Sequence, residues 1–143
     1  MLSKPQAGWS EFILGEYKAP VSFLTDIPFD WLRACINGLK YVIPAAFFID
    51  GEGPSFYMIS DTYSTHIIRH FNGTELTEVR VGLDQFAEML VQDIRENLEE
   101  WIWWCDYPLK PEQYASRKAM LLALLDETQQ CLDNYIKGSS YNF

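Results

Sequence analysis

The chain has 143 residues, of which 48% are apolar and 15% aromatic. This composition is typical of a folded globular domain and excludes a disordered tail or a fibrous repeat. A chain of this length can bury about two thirds of its surface, so its core needs neither metal nor crosslinks. Eleven basic against twenty acidic side chains give a net charge of −9. That charge opposes binding to nucleic-acid phosphates and to anionic lipid, and it favours a basic partner.

The cysteines indicate reduced thiols packed in a cytoplasmic protein rather than a disulfide framework. They are odd in number and far apart, at Cys35, Cys105 and Cys131. The first residues, MLSKPQ, lack the apolar run of a signal peptide, and no stretch approaches the ~18 consecutive apolar residues of a membrane span. The sequence has no Cys-x-x-Cys, His-Glu-x-x-His or acidic calcium loop, so we expect neither a metal nor a cofactor.

The first third of the chain combines short strands with a helix. Residues 9–24 carry two aromatic and β-branched runs separated by a glycine and a proline, which predicts one or two strands with a turn. From Thr25 the apolar positions recur at helical spacing. With Thr25 or Asp26 as the cap, these positions predict an amphipathic helix that ends before Pro44. The positions are Phe29, Leu32, Cys35, Ile36, Leu39 and Ile43.

The middle of the chain is typical of two successive hairpins. The strand-like runs PAAFFID and SFYMISD flank the turn Gly51–Pro54, and residues 64–71 and 74–81 flank an Asn-Gly pair. Asn-Gly between β-rich runs is a strong hairpin signal. We expect an antiparallel meander of four strands, in which Leu76 and Val79 anchor the last strand.

The last third is predicted to be helical. Apolar spacing indicates one helix from Leu83 to about Trp104 and another from Glu112 to about Lys137, joined by a short connector that makes them antiparallel neighbours. Residues 138–143, which begin with a glycine stop, are expected to form a flexible tail. We therefore expect residues 1–143 to form a single α+β domain. Its antiparallel, meander-like sheet has about four to six strands and is packed with three helices, the last two an antiparallel pair.

Acidic side chains are concentrated in one segment. From Asp84 to Asp106 there are seven acids and one base, which supply −6 of the net −9. On a helical wheel the acids fall on one half and the apolar side chains on the other, so one face packs and the other presents carboxylates. An ordinary solvated helix face is one interpretation. The other is a surface for a basic protein partner, formed by Glu88, Asp93, Glu96, Glu99, Glu100 and Trp103.

Trp103 falls among the acids on this wheel, whereas Trp101 and Trp104 point with the core. Three interpretations stay open. The tail, the connector at 106–111 or the first strand covers Trp103, or the helix ends before it. Alternatively, Trp103 is an exposed anchor in a protein interface, where tryptophan is enriched.

A second candidate site lies on the middle strands, where polar residues would line a small-ligand or catalytic pocket between sheet and helices. These residues are Tyr57, Asp61, Tyr63, His66 and His70. The two histidines share one strand face about 13 Å apart, too far for a common metal ion without a sharp bend. No nucleophile elbow, phosphate loop or basic stacking platform accompanies them, so we expect neither a hydrolase nor a nucleic-acid-binding protein.

No family motif is matched residue by residue. In general character, as a small, acidic and aromatic-rich α+β chain, the protein resembles the immunity proteins that bacteria keep against their own toxins. This resemblance implies an acidic face that blocks a basic active site. The leading hypothesis is a non-enzymatic, immunity- or inhibitor-like protein-binding module. The alternatives are a self-associating domain whose homodimer contact is Trp103 with neighbouring tyrosines, and a small-ligand binder or enzyme.

Overall fold

Six strands and four helices follow one another in the computed structural model, which describes residues 1–135. In chain order they are β1 (Trp9–Leu14), β2 (Tyr17–Ser22), α1 (Ile27–Tyr41), β3 (Ala45–Asp50), β4 (Ser55–Ser60), β5 (Thr65–His70), β6 (Thr74–Val79), α2 (Leu83–Glu96), α3 (Leu98–Ile102) and α4 (Pro111–Asn134). The predicted α+β class, with its antiparallel sheet and antiparallel C-terminal helix pair, is confirmed. The predicted tail at 138–143 lies outside the described residues.

The strands form two antiparallel sheets. β1 and β2 pair as a hairpin, and β3 to β6 form a four-stranded meander in chain order. The β1–β2 turn needs a glycine, because Gly15 has a φ of +58° and a Cβ atom there would lie 2.9 Å from the Val79 side chain. The hairpin turn therefore packs against the edge strand of the meander without a side chain between them.

The core lies on one face of the meander, which we call the inner face. Successive strand residues alternate between faces, so Phe47, Phe56 and Ile67 all point inward and are buried. The indole of Trp31 on α1 meets Phe47 at a ring-centroid distance of 5.6 Å, and Phe86 on α2 lies 4.6 Å from Phe47. Helices α1 and α2 thus cover the inner face through a chain of aromatic contacts.

Helix α4 closes the helical layer. Its buried residues, Leu121, Leu125 and Thr128, recur at three- and four-residue intervals, so one narrow stripe packs against α1 and α2. Contacts run in opposite order along the two segments: Arg95 of α2 pairs with Asp126, whereas Glu99 of α3 accepts a hydrogen bond from Tyr114. This order makes α4 antiparallel to the α2–α3 segment.

The single helix predicted from Leu83 to Trp104 is two helices. Asn97 interrupts it with φ −126° and ψ 43°, outside the helical region, and α3 restarts from the Asn97 carbonyl, which accepts from the Trp101 N–H. Asparagine favours such a break because its side chain competes with helical backbone bonding. Trp101 and Trp104 are buried as predicted, and the Trp104 indole N–H donates to the Thr25 carbonyl at 2.8 Å.

Arg117 on α4 joins three parts of the helical layer. Its Nε–H donates to the Ile102 carbonyl at 2.6 Å, and Nη2 donates to the Trp104 carbonyl at 3.1 Å. Nη1 and Nη2 also donate to the two carboxylate oxygens of Asp26, at 3.2 and 2.9 Å. The guanidinium lies 4.4 Å above the Phe29 ring. One side chain therefore ties α4 to the end of α3 and to the start of α1.

The prediction that Leu76 anchors the last strand is wrong. Leu76 points to the opposite face of the sheet from Val79 and is 65% exposed, whereas Val79 is half-buried on the inner face. The reason is strand geometry: residues three apart on a strand project to opposite faces, so both cannot enter one core.

Candidate functional site

The acidic segment lies along α2 and α3. Between Leu83 and Ile102 there are six acidic side chains and one basic, a net of −5. We call the five carboxylates Glu88, Asp93, Glu96, Glu99 and Glu100 the acidic face. Glu88 and Glu96 are exposed, and neither makes an ion pair or hydrogen bond with any of residues 1–135. These two are free to meet a partner.

Two members of the acidic face bind the start of the chain instead. The Asp93 carboxylate accepts the Leu2 backbone N–H at 2.8 Å, and Lys4 Nζ lies 3.4 Å from Glu100 Oε1. Both contacts satisfy carboxylates within the fold, and they hold the first residues beside α2 and α3. A partner would have to replace these contacts before it could use either carboxylate.

The remaining acid, Glu99, holds an aromatic pair. One carboxylate oxygen accepts the Trp103 indole N–H at 3.1 Å, and the other accepts the Tyr114 hydroxyl at 2.5 Å. The Trp103 and Tyr114 rings lie 5.7 Å apart at 34°. Helix α3 ends one residue before Trp103, and the indole remains 43% exposed. The ring is thus fixed at the surface beside carboxylates and covered on one side by Tyr114.

The hydrogen bonds of this cluster shift the ionisation of both partners. The Tyr114 hydroxyl, and after it the Trp103 indole, lower the pKa of Glu99. The same bond raises the pKa of Tyr114, because ionising the phenol would place two negative charges side by side. The cluster is therefore built around an ionised carboxylate and a neutral phenol.

We expect the aromatic pair to be fixed at neutral pH and released in acid. Because the pKa of Glu99 is lowered, the contribution of its carboxylate is present above the ordinary value of about 4.3 and is lost as the pH falls through the lowered value. The raised pKa of Tyr114 keeps its hydroxyl bond intact until the pH passes beyond the ordinary tyrosine range. The measurement is the fluorescence difference between the native protein and Trp103→Phe during an acid titration.

Tyr114→Phe serves as the control for this titration. It removes the largest cause of the low pKa of Glu99, so the acid transition of Trp103 should move to higher pH, toward the ordinary glutamate value. An acid transition at the same pH in both proteins would contradict the arrangement.

The second predicted site is spread over two places. Tyr57, His66 and His70 lie on the exposed outer face of the sheet, where the Tyr57 ring meets His70 edge-on at 5.9 Å. Asp61 and Tyr63 lie in the β4–β5 turn. None of five surface hollows on residues 1–135 is lined by any of these five residues. The structure places three of them on the outer face of the sheet and two in the turn.

The Asp61 carboxylate stabilises the β4–β5 turn. Its Oδ1 accepts the backbone N–H groups of Tyr63 and Ser64, each at 2.9 Å. These two bonds lower the pKa of Asp61 because they favour its ionised form. A carboxylate used in this way closes a turn as many loop aspartates do.

The acidic face borders a groove between α2 and α4. The groove has a volume of about 430 Å³ and is lined by Glu88, Val91, Gln92, Arg95, Glu96 and Gln129. The Arg95–Asp126 ion pair, 3.1 Å long, joins the two helices beside it. The two free carboxylates therefore lie along the rim of a shallow cleft whose floor is partly apolar.

A metal centre, a membrane span and a disulfide are each missing from the described part of the chain. No three histidine, cysteine or acidic side chains within residues 1–135 lie close enough to hold a metal ion. Over the same residues, the helices are too short or too polar to cross a membrane. Cys35, Cys105 and Cys131 are free thiols, and complete burial raises the pKa of Cys35 far above its usual range. A thiol in that state is a packing group rather than a nucleophile.

Comparison of the chain with protein-family models, with curated proteins and with solved structures gives no match. The structure adds two features to those predicted from sequence. Tyr114, 15 residues beyond Glu99, joins the cluster only because α4 folds back, and no local pattern signals this. The outer sheet face is apolar, and its signal was the unbroken runs AAFFI and FYMI in β3 and β4, where a half-solvated strand would alternate.

Proposed function

We propose that the protein is a non-enzymatic binding module, immunity- or inhibitor-like, that holds a basic protein partner on the acidic face. The observation that carries the proposal is the half-exposed Trp103 ring, fixed by Glu99 among carboxylates. Tryptophan is enriched among the residues that dominate binding energy, and a ring already held in its bound position loses little entropy on association. Tyr114 on its far side extends the anchor.

Electrostatics support the same surface. Glu88 and Glu96 lie eight residues apart on one helix, which places them about 12 Å apart along its axis and about 80° apart around it. Lysine or arginine side chains of a partner would reach them without breaking a bond inside the protein. The net charge of −9 speeds the approach of a basic protein at low salt, and this acceleration falls as salt is added.

We also propose the cellular compartment and the class of partner for this function. Three free thiols fit the reducing cytoplasm. The resemblance to bacterial immunity proteins makes a toxin with a basic active site the first class of partner to test. Nucleic acids and anionic membranes are not proposed as partners, because the net charge repels their phosphates.

The test begins with capture of a partner from an extract of the host by the immobilised protein. The purified pair is then studied by surface plasmon resonance at low and high salt. Trp103→Ala is expected to weaken the affinity by about 30-fold, the size of one hot-spot residue. The double variant Glu88→Lys and Glu96→Lys is expected to slow association and to reduce its salt dependence.

A matched control separates the site from net charge. The double variant Glu16→Lys and Glu52→Lys makes the same charge change in two exposed turns, β1–β2 and β3–β4. It should leave most of the affinity intact. If Trp103→Ala binds as tightly as the native protein, or if both lysine doubles weaken binding equally, the acidic face is not the binding site.

A further inference from the structure

An apolar row crosses the outer face of the four-stranded sheet, although no element of residues 1–135 packs on that face. The register of the meander places Phe48, Tyr57, Ile68 and Leu76 side by side in one row across all four strands. Phe48 and Tyr57 are 46% and 47% exposed, and their rings lie 5.0 Å apart. Ile59, next to this row, is exposed as well.

Such a row is unusual for a face that meets water. Antiparallel sheets with one solvated face normally alternate apolar inward and polar outward residues. Here the inner face already carries a complete aromatic core, so the outer row adds nothing to that core. A contiguous apolar patch that the fold does not need is typical of a contact surface.

The distribution of charge indicates what kind of partner fits. Of the twelve outward positions on β3 to β6, only Asp50 and Glu78 are acidic, and both lie away from the central row. The acidic face lies on the helical layer, on the other side of the sheet. Two copies of a chain with a net charge of −9 repel each other least where they meet through this nearly neutral face.

We propose that two copies of the protein pack outer face against outer face, as the two layers of a β-sandwich about 10 Å apart. Pairing through the β6 edge is less favourable, because that strand carries Glu75 and Glu78, and charged residues on an edge oppose strand addition. Packing through the outer face leaves both helical layers free. The dimer therefore presents two acidic faces pointing away from each other.

The area of the outer face indicates how strong the dimer contact should be. Four strands spaced at ~4.8 Å, with six residues of ~3.4 Å each, give a flat area of about 400 Å² per copy. Stable interfaces bury about 800 Å² of accessible surface per partner, so this contact lies at the small end. We expect a dimer that forms at high protein concentration and dissociates on dilution.

Sedimentation velocity over a wide range of concentrations tests the proposal. The double variant Phe48→Glu and Tyr57→Glu should raise the dissociation constant of the dimer at least about tenfold. The control, Ile13→Glu with Met120→Glu, makes the same charge change at residues of matching exposure, 46% and 49%, on β1 and α4. It should dimerise like the native protein. Urea unfolding of both doubles verifies that each is folded.

Three results would overturn the proposal. The native protein could sediment as a monomer at every concentration, or the two double variants could behave alike. Alternatively, the dimer could be lost in Trp103→Ala and kept in the outer-face double, which would assign self-association to the acidic face instead. High salt gives a further distinction, since an apolar contact should persist there whereas binding through the acidic face should weaken.

Discussion

Trp31→Ala is expected to lower the free energy of unfolding by about 3–5 kcal/mol, the cost of truncating a fully buried aromatic side chain. Trp31 is 1% exposed and joins the hairpin to both helices that cover the sheet. Its indole contacts Phe12, Phe47 and Phe86 at centroid distances of 5.6, 5.6 and 5.9 Å. Removing it leaves a cavity bordered by three different elements, which cannot all move inward to fill it. Urea unfolding followed by circular dichroism measures the loss.

Trp31→Phe is the matched control. The Trp31 indole N–H is buried and has no hydrogen-bond acceptor among residues 1–135. Phenylalanine keeps an aromatic ring in place and removes this unpaired donor, whose burial is itself unfavourable. We therefore expect a cost below about 1.5 kcal/mol. If phenylalanine proved as damaging as alanine, the ring contacts would not be the main contribution of Trp31.

Arg117→Met is expected to cost about 2–4 kcal/mol, because it removes charge-assisted hydrogen bonds and leaves their acceptors unpaired. The Ile102 and Trp104 carbonyls each lose a donor, and Asp26 loses a two-point partner. Methionine fills much of the same volume, so the loss reports hydrogen bonding rather than packing. Urea unfolding monitored by tryptophan fluorescence measures it.

Two further variants make this prediction specific. Arg117→Lys should recover only part of the loss, since a single ammonium cannot serve Asp26 and two carbonyls in the fixed fork that a guanidinium provides. Arg95→Met removes the exposed ion pair to Asp126 and should cost less than about 1 kcal/mol. Equal costs for Arg117→Met and Arg95→Met would show that Arg117 does not hold the helical layer together.

The two proposed surfaces lie on opposite layers of the molecule and differ in chemistry. The acidic face lies on α2 and α3 with Trp103 fixed beside it, whereas the outer face belongs to the sheet and carries an apolar row. Salt should weaken binding at the first and leave the second nearly unchanged. The result of the experiments on one surface therefore does not determine the result on the other.

Local sequence patterns were sufficient to predict most of the secondary structure. Alternation and turn residues located all four strands of the meander, and helical spacing located α1 and α4 within a few residues of their starts. The helical wheel placed Trp101 and Trp104 on the core side and Trp103 among the acids, and the structure buries the first two. These features depend on neighbours within one or two turns along the chain, so the sequence determined them by itself.

Tertiary structure decided everything that depends on distant segments. The break at Asn97 lets Trp104 reach the Thr25 carbonyl, 79 residues away. The spacing of apolar residues in the sequence does not predict this hydrogen bond. Tyr114 reaches Glu99 only because α4 runs back along α3. Strand alternation shows only that Leu76 and Val79 face opposite ways, and the packing of β6 in the sheet decided that Val79 is the one on the inner face.

The sequence alone thus determined the class of fold, the acidity of α2 and α3 and the position of Trp103 among the acids, because each follows from residue type and local spacing. The tertiary structure decided that Trp103 is partly exposed. Only the tertiary structure decided which carboxylates are free and which are already bound to Leu2, Lys4 or Tyr114. It also decided that one sheet face is covered by helices while no element of residues 1–135 packs on the other. These two outcomes depend on how helices and strands far apart in the chain pack together. The free energy of that packing comes from contacts between residues that are distant in sequence, so a short stretch of sequence cannot predict it.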